Sequence, residues 1–163
     1  MLYPFSIINI YWPFLFGTFS FPNKTTIMKN KKKVYIDTYE SIYPILLAVA
    51  NEYATAKDLN KYFKWGDGED ILDKEIDDCK GCVIKVVRRS DNAKVLLVKL
   101  NYTEGKDKKL DAILTAVHEA GHAVLITYNH IEDTICSDST KQEPFCYYLQ
   151  WVTKCIYTTM SKK

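Results

Sequence analysis

The sequence predicts an α+β domain in which a small, mostly antiparallel sheet packs on one long helix and a C-terminal helix closes over it. Three observations predict this. Short β-branched and aromatic runs bounded by Gly, Pro, Asn and Asp fill the stretch from Val34 to Asn101. From Lys106 to Tyr128, apolar residues recur at helical spacing: Leu110, Ile113, Leu114, Val117, Gly121, Val124, Leu125 and Tyr128. A second stripe of the same period, Phe145, Tyr148, Leu149, Val152 and Ile156, ends the chain.

Taken in order, Val34–Asp37 and Ile42–Ala50 read as strands, with Pro44 suited to a strand start or an edge. Thr55 is an N-cap for a short helix from Ala56 to Phe63, and Gly66-Asp-Gly68 breaks the chain after it. Glu69 to Asp78 is acidic and reads as a short helix or a solvated loop. Cys82–Arg89 and Val95–Asn101 are two strands joined by Ser90-Asp-Asn-Ala-Lys94, a hairpin signal. The apolar stripe of the long helix is expected to face the core, with His118 and His122 bordering it. A polar loop from Asn129 to Lys141 leads to the last helix.

The chain divides into residues 1–27 and a single domain, 28–163. Met1 to Asn23 carry no charge and are crowded with Phe, Tyr, Trp and Ile, yet Pro4, Pro13 and Pro22 interrupt the run. No basic segment precedes it, as a secretory signal requires. Met28-Lys-Asn-Lys-Lys-Lys33 reads as an ordinary start, so the preceding text is expected to be a non-native extension. A membrane anchor, with the following domain cytoplasmic, and a signal-like segment are the alternatives. A net charge of +2 excludes a nucleic-acid footprint. Five cysteines, an odd number, do not form a disulfide framework and are expected to be reduced thiols. The sequon at Asn101-Tyr-Thr103 then carries no glycan. The expected location is cytoplasmic, with a membrane role only if residues 1–23 are translated.

Chemistry concentrates in Thr115-Ala-Val-His-Glu-Ala-Gly-His-Ala-Val124. His118 and His122 are four residues apart, which puts both imidazoles on one helix face and lets them share one metal ion. Glu119 flanks the first of them, placed to act on a metal-bound water as general base. The remaining positions of the stretch are small or apolar, as a buried helix with a metal at its wet edge requires. A catalytic zinc takes three protein ligands and keeps one position open. Of the chain's three histidines, the last, His130, sits near the helix end and reads as a surface residue or C-terminal cap.

This His-Glu-x-x-His motif, followed by Lys141-Gln-Glu-Pro-Phe-Cys-Tyr-Tyr148, resembles the gluzincins, the thermolysin-like zincins, and also small bacteriophage-encoded proteins with the same motif. The resemblance implies a zincin-like fold over Val34 to about Met160, with Glu143 as third ligand to one Zn²⁺ per chain. It implies a metallopeptidase acting on a peptide or protein, with Glu119 as base. Thr140-Lys-Gln-Glu143 also spells a capping box, so a cap is the other reading of Glu143, and Asp138 and Glu132 are the fallback ligands. The metzincin pattern is not met, because Leu125 and Tyr128 stand where its glycine and third histidine fall. His-Glu-Ala-Gly-His-Ala is also similar to the peptidase motif of membrane-bound AAA proteases, but only locally. Gly81-Cys82 ahead of the motif is a faint echo of peptide deformylases. Cys79-Lys-Gly-Cys82 has the spacing of half a metal site or a redox pair, against which packing thiols are the plainer reading. Tyr102, Tyr147 and Tyr148 are unassigned candidates for oxyanion support. Val95–Asn101 is expected to be the edge strand that pairs with an extended substrate. The alternative to a peptidase is a non-catalytic zinc-binding accessory or structural protein of a phage.

Overall fold

A computed structural model describes residues 33–78, 80–101, 108–132 and 139–162, with the side chains of 108 and 139–141 left undescribed. The division at residues 1–27, Cys79, Tyr102, Thr103, Cys136 and Asp138 therefore lie outside the described residues. The elements are β1 (Ile36–Tyr39), β2 (Leu46–Ala50), α1 (Ala56–Leu59), β3 (Phe63–Lys64), α2 (Asp73–Ile76), β4 (Gly81–Arg88), β5 (Lys94–Leu100), α3 (Lys108–His130) and α4 (Ser139–Met160). The α+β class is as expected, with one five-stranded sheet in the order β1-β2-β5-β4-β3. All pairings are antiparallel except β2 with β5.

The β4–β5 hairpin forms where its turn residues put it. Arg88 N–H donates to the Ala93 carbonyl at 2.9 Å, and Asn92 takes φ 57°, a left-handed conformation that asparagine tolerates better than most residues. Every residue from Val95 to Leu100 is buried. The reason is that both faces of β5 are covered, so the strand reads as an apolar run broken only by Lys99, whose ammonium donates to the Leu100 carbonyl at 2.7 Å. Leu96, Val98 and Leu100 face α3 and α4, together with Leu47 and Val49 of β2. Val95 and Leu97 face a second core built from Ala54, Ala56, Leu59, Phe63, Ile71 and Ile76. The sheet curls around this second core, since one cleft is lined both by Ile36 and Thr38 of β1 and by Phe63 of β3, from opposite edges.

Local expectations hold in part. Thr55 caps α1 in a capping box with Asp58, but the helix stops at Leu59 and Phe63 enters β3. Strand β2 starts at Leu46, after bends from Ile42 to Ile45. Helix α4 starts at Ser139, ahead of the expected position, and carries Pro144 within it. Its far end is tied to β1: the Thr159 hydroxyl donates to Asp37 at 2.7 Å and meets the Tyr39 hydroxyl at 2.8 Å.

Two expectations are corrected. Strand β5 lies at the centre of the sheet between β2 and β4, so it is not an edge. Nor does the long-helix stripe face inward as a whole. Ala116, Ala120, Ala123, Val124, Thr127 and Tyr128 are buried, whereas Leu110, Leu114, Val117 and Leu125 are exposed, Leu114 at 57%. The inner face is therefore made by Ala116, Ala120 and Ala123 together with Val124 and Tyr128, and the leucines lie outside it.

The two face assignments predict opposite responses. Ala120→Leu is expected to destabilise the protein by about 1–3 kcal/mol through overpacking, and Leu114→Ala to stay within about 0.5 kcal/mol. Chemical denaturation of the two variants checks this, and the reverse order would restore the leucine stripe to the core.

Candidate metal centre

Helix α3 is continuous through the motif, so His118 and His122 stand one turn apart on its outer face, both exposed. Their Nε2 atoms are 3.1 Å apart, and the rings meet edge to face with centroids separated by 4.7 Å. Two nitrogens bound to one tetrahedral zinc at its usual bond length stand about 3.3 Å apart, so this spacing fits a shared ion. The exposure of both rings leaves the ion an open path.

Glu119 is in a different environment. One residue advances the chain about 100° around a helix, so with His118 facing outward Glu119 turns sideways, towards β4. It is 3% exposed, and its Oε2 has no hydrogen-bond partner among the described residues. Burial raises the pKa of its carboxyl, and the charges of His118 and His122 pull in the opposite direction. The motif thus places a desolvated carboxyl next to a pair of metal-ready imidazoles. Leaving a buried acceptor unsatisfied costs about 1–3 kcal/mol, and such an atom is the kind a metal-bound ligand would satisfy.

Glu143 is exposed, near the start of α4. The Phe145 ring packs on Tyr128, with centroids 5.6 Å apart, so α4 enters beside the C-terminal end of α3. Tyr128 lies six residues beyond His122, about 9 Å along the helix axis. Among the described residues, no third His, Cys, Asp or Glu completes a metal-binding group with the two histidines. Because α4 already begins at Ser139, Glu143 also lies beyond the third helical position, where a capping-box glutamate sits. Glu132 is exposed in the turn after α3, at φ 56°, and His130 closes that helix.

The remaining candidates separate by face. Cys82 belongs to the second core, with its Sγ directed at the Ile76 carbonyl at 3.9 Å. It therefore lies across the sheet from α3, and the deformylase-like arrangement does not form. Cys146 and Cys155 are free thiols, and burial pushes Cys155 up to about 11. Tyr148 is buried, its hydroxyl 3.3 Å from both Ser41 and Thr127, which takes it out of the site. Tyr147 is exposed on α4. What sequence reasoning missed is Gly81: a Cβ there would fall 2.6 Å from Oε1 of Glu119. A glycine opening a strand was the available signal.

Comparison with known proteins returns no match. No family model fits the chain, and no curated protein or solved structure matches it. No helix among the described residues is long and apolar enough to cross a membrane.

The raised pKa of Glu119 has a measurable sign. The folded, zinc-free state keeps a proton that the unfolded chain releases between the ordinary glutamate value and the raised one. The contribution to stability is full at the acid side of that window and is lost as pH rises through the folded value. Relative to the wild type, Glu119→Gln is expected to gain stability across the window and level off above it. Denaturation in chelator over a pH series checks this, and a pH-independent difference would refute the desolvated carboxyl.

Proposed function

We propose that the chain is a zinc-dependent metallopeptidase of zincin type, with His118 and His122 holding the metal and Glu119 acting as general base. The observation that carries this reading is the buried carboxyl of Glu119, whose Oε2 has no hydrogen-bond partner among the described residues, next to two imidazoles whose Nε2 atoms are 3.1 Å apart. An isolated amphipathic helix has no use for that combination, and holding it lowers stability. Zinc, when bound, supplies Lewis acidity and a water nucleophile at neutral pH. Glu119 takes the proton of the attacking water and delivers it to the leaving amine, a role that its raised affinity for protons favours. Glu143 is the proposed third ligand on the strength of the gluzincin resemblance, and it would have to reach across the end of α3 to serve.

The substrate is a peptide or protein, taken as an added strand. Arg88 pairs with Ala93, and Asn101 N–H donates to the Lys80 carbonyl, so even-numbered residues of β4 bond to β5. The odd-numbered ones turn their backbone groups to the outer edge. Strand β3 pairs only with Arg88 and Val87, so along Val83 and Lys85 no described strand covers that edge. An extended peptide can pair there, on the flank of α3 from which Glu119 projects.

The second reading is a zinc-binding accessory or structural protein without catalysis, since the exposed His118–His122 pair could hold a metal with no turnover. The experiments divide the two. Elemental analysis of the purified protein is expected to give about one zinc per chain, and metal-free protein would overturn both readings. Glu119→Gln is expected to retain zinc while hydrolysis of fluorescein-labelled casein falls about 10²–10⁴-fold. Zinc binding with no chelator-sensitive hydrolysis in the wild type would select the second reading. Loss of a hydrogen-bond partner to a ligand alone weakens metal binding about 10- to 100-fold, so Glu143→Ala is expected to weaken zinc binding at least that much. Unchanged affinity would release Glu143 from the site.

A further inference from the structure

We propose that Gly81 is the positioning residue of this site: the missing side chain at the start of β4 is the slot in which the Glu119 carboxylate lies. The inference rests on the reading of Glu119 as general base. A Cβ at position 81 would stand 2.6 Å from Oε1, 2.7 Å from Cδ and 2.8 Å from Cγ of Glu119, separations that real Cβ atoms essentially never show. The three nearest atoms all belong to the one side chain, so it is Glu119 that lies where a Cβ would stand.

Backbone conformation does not account for the glycine. Among the described residues the only glycine at positive φ is Gly68, so position 81 has a backbone any residue can adopt. Glycine inside a strand costs about 0.5–1 kcal/mol relative to alanine and marks a close approach of another group. Here the approaching group is identified. Gly66 and Gly121, by contrast, have nothing within 4 Å of a built Cβ, so small size is not demanded of them. The slot also explains how a carboxylate on a helix flank comes to be 3% exposed. With β4 bare at this point, Glu119 is pressed between helix and strand, held on the inner side of the histidine pair.

The consequence of filling the slot follows from which atoms are hit. They belong to the far end of a flexible side chain, so Gly81→Ala displaces the carboxylate and leaves the fold in place. His118 and His122 are on the outer face of α3 and keep their spacing.

The test uses the zinc-loaded full chain and two readouts. Gly81→Ala is expected to keep its zinc and to lower kcat on fluorescein-labelled casein about 10- to 100-fold, with KM within about twofold, as expected for a misplaced catalytic group. In parallel, carbodiimide coupling of glycine ethyl ester, followed by mass spectrometry, reads the exposure of the Glu119 carboxylate. Labelling of Glu119 is expected to rise at least about threefold in Gly81→Ala and to stay at the wild-type level in Gly66→Ala. Unchanged labelling in folded Gly81→Ala overturns the proposal, as does unchanged kcat in an active wild-type background. If the wild type hydrolyses nothing, the peptidase reading fails, and the labelling ratio still decides whether Gly81 holds the carboxylate. If Gly81→Ala does not fold, Gly81→Ala combined with Glu119→Asp, one methylene shorter, is expected to fold again. Failure of that pair to recover locates the defect in the strand and overturns the proposal.

Discussion

The close seating of α3 on the sheet sets the environment of every residue in the motif. Ala116, Ala120 and Ala123 are buried in the core that α3 shares with α4 and the sheet, which fixes the rotation of the helix. Once those alanines point inward, helical geometry leaves little freedom. His118 and His122 face outward, and Glu119, about 100° from His118, is driven into the flank against β4. A bulkier inner face would lift the helix, and the glutamate would return to solvent.

The sheet is organised to support that seating. Strand β5, buried on both faces, carries the parallel pairing to β2 and the hairpin pairing to β4, so it is the rigid centre. Helices α3 and α4 load one face, and the short α1 and α2 segments with Phe63 of β3 fill the other. Strand β3 is too short to cover β4 along its length, so Val83 and Lys85 have no partner strand on that edge among the described residues. Open edges are usually blunted because they invite aggregation. Here Lys85 stands on the open stretch, a charge that protects it without closing it.

The site is held at a cost in stability. A buried carboxylate oxygen without a partner among the described residues, and a glycine at the start of a strand, are each unfavourable in a domain of marginal stability. Both occur at one contact, and neither is explained by packing alone. Concentrated local cost of this kind is typical of sites arranged for chemistry, where a desolvated acid or base gains proton affinity that water would level.

Much of this was legible in the chain. The i, i+4 spacing of His118 and His122, the turn residues between β4 and β5, the Thr55 cap and the α+β order are local features, determined by periodicity and by the conformational habits of single residues. The inward face of α3 was legible only at Val124 and Tyr128, because leucines and alanines spread around the helix and hydropathy favours the leucines, whereas Ala116, Ala120 and Ala123 are the buried ones. The sequence order of β4 and β5 could not reveal that β2 lies between β1 and β5, since that pairing joins residues about fifty positions apart. Nor could it reveal that Gly81 lies under Glu119, or that α4 enters beside Tyr128 and keeps Glu143 towards the far end of α3. The sequence by itself determined what lies along one helix or across one turn, because neighbours in the chain are neighbours in space there. The tertiary structure decided which faces meet, because that depends on the volumes of side chains from distant segments filling one shared interior.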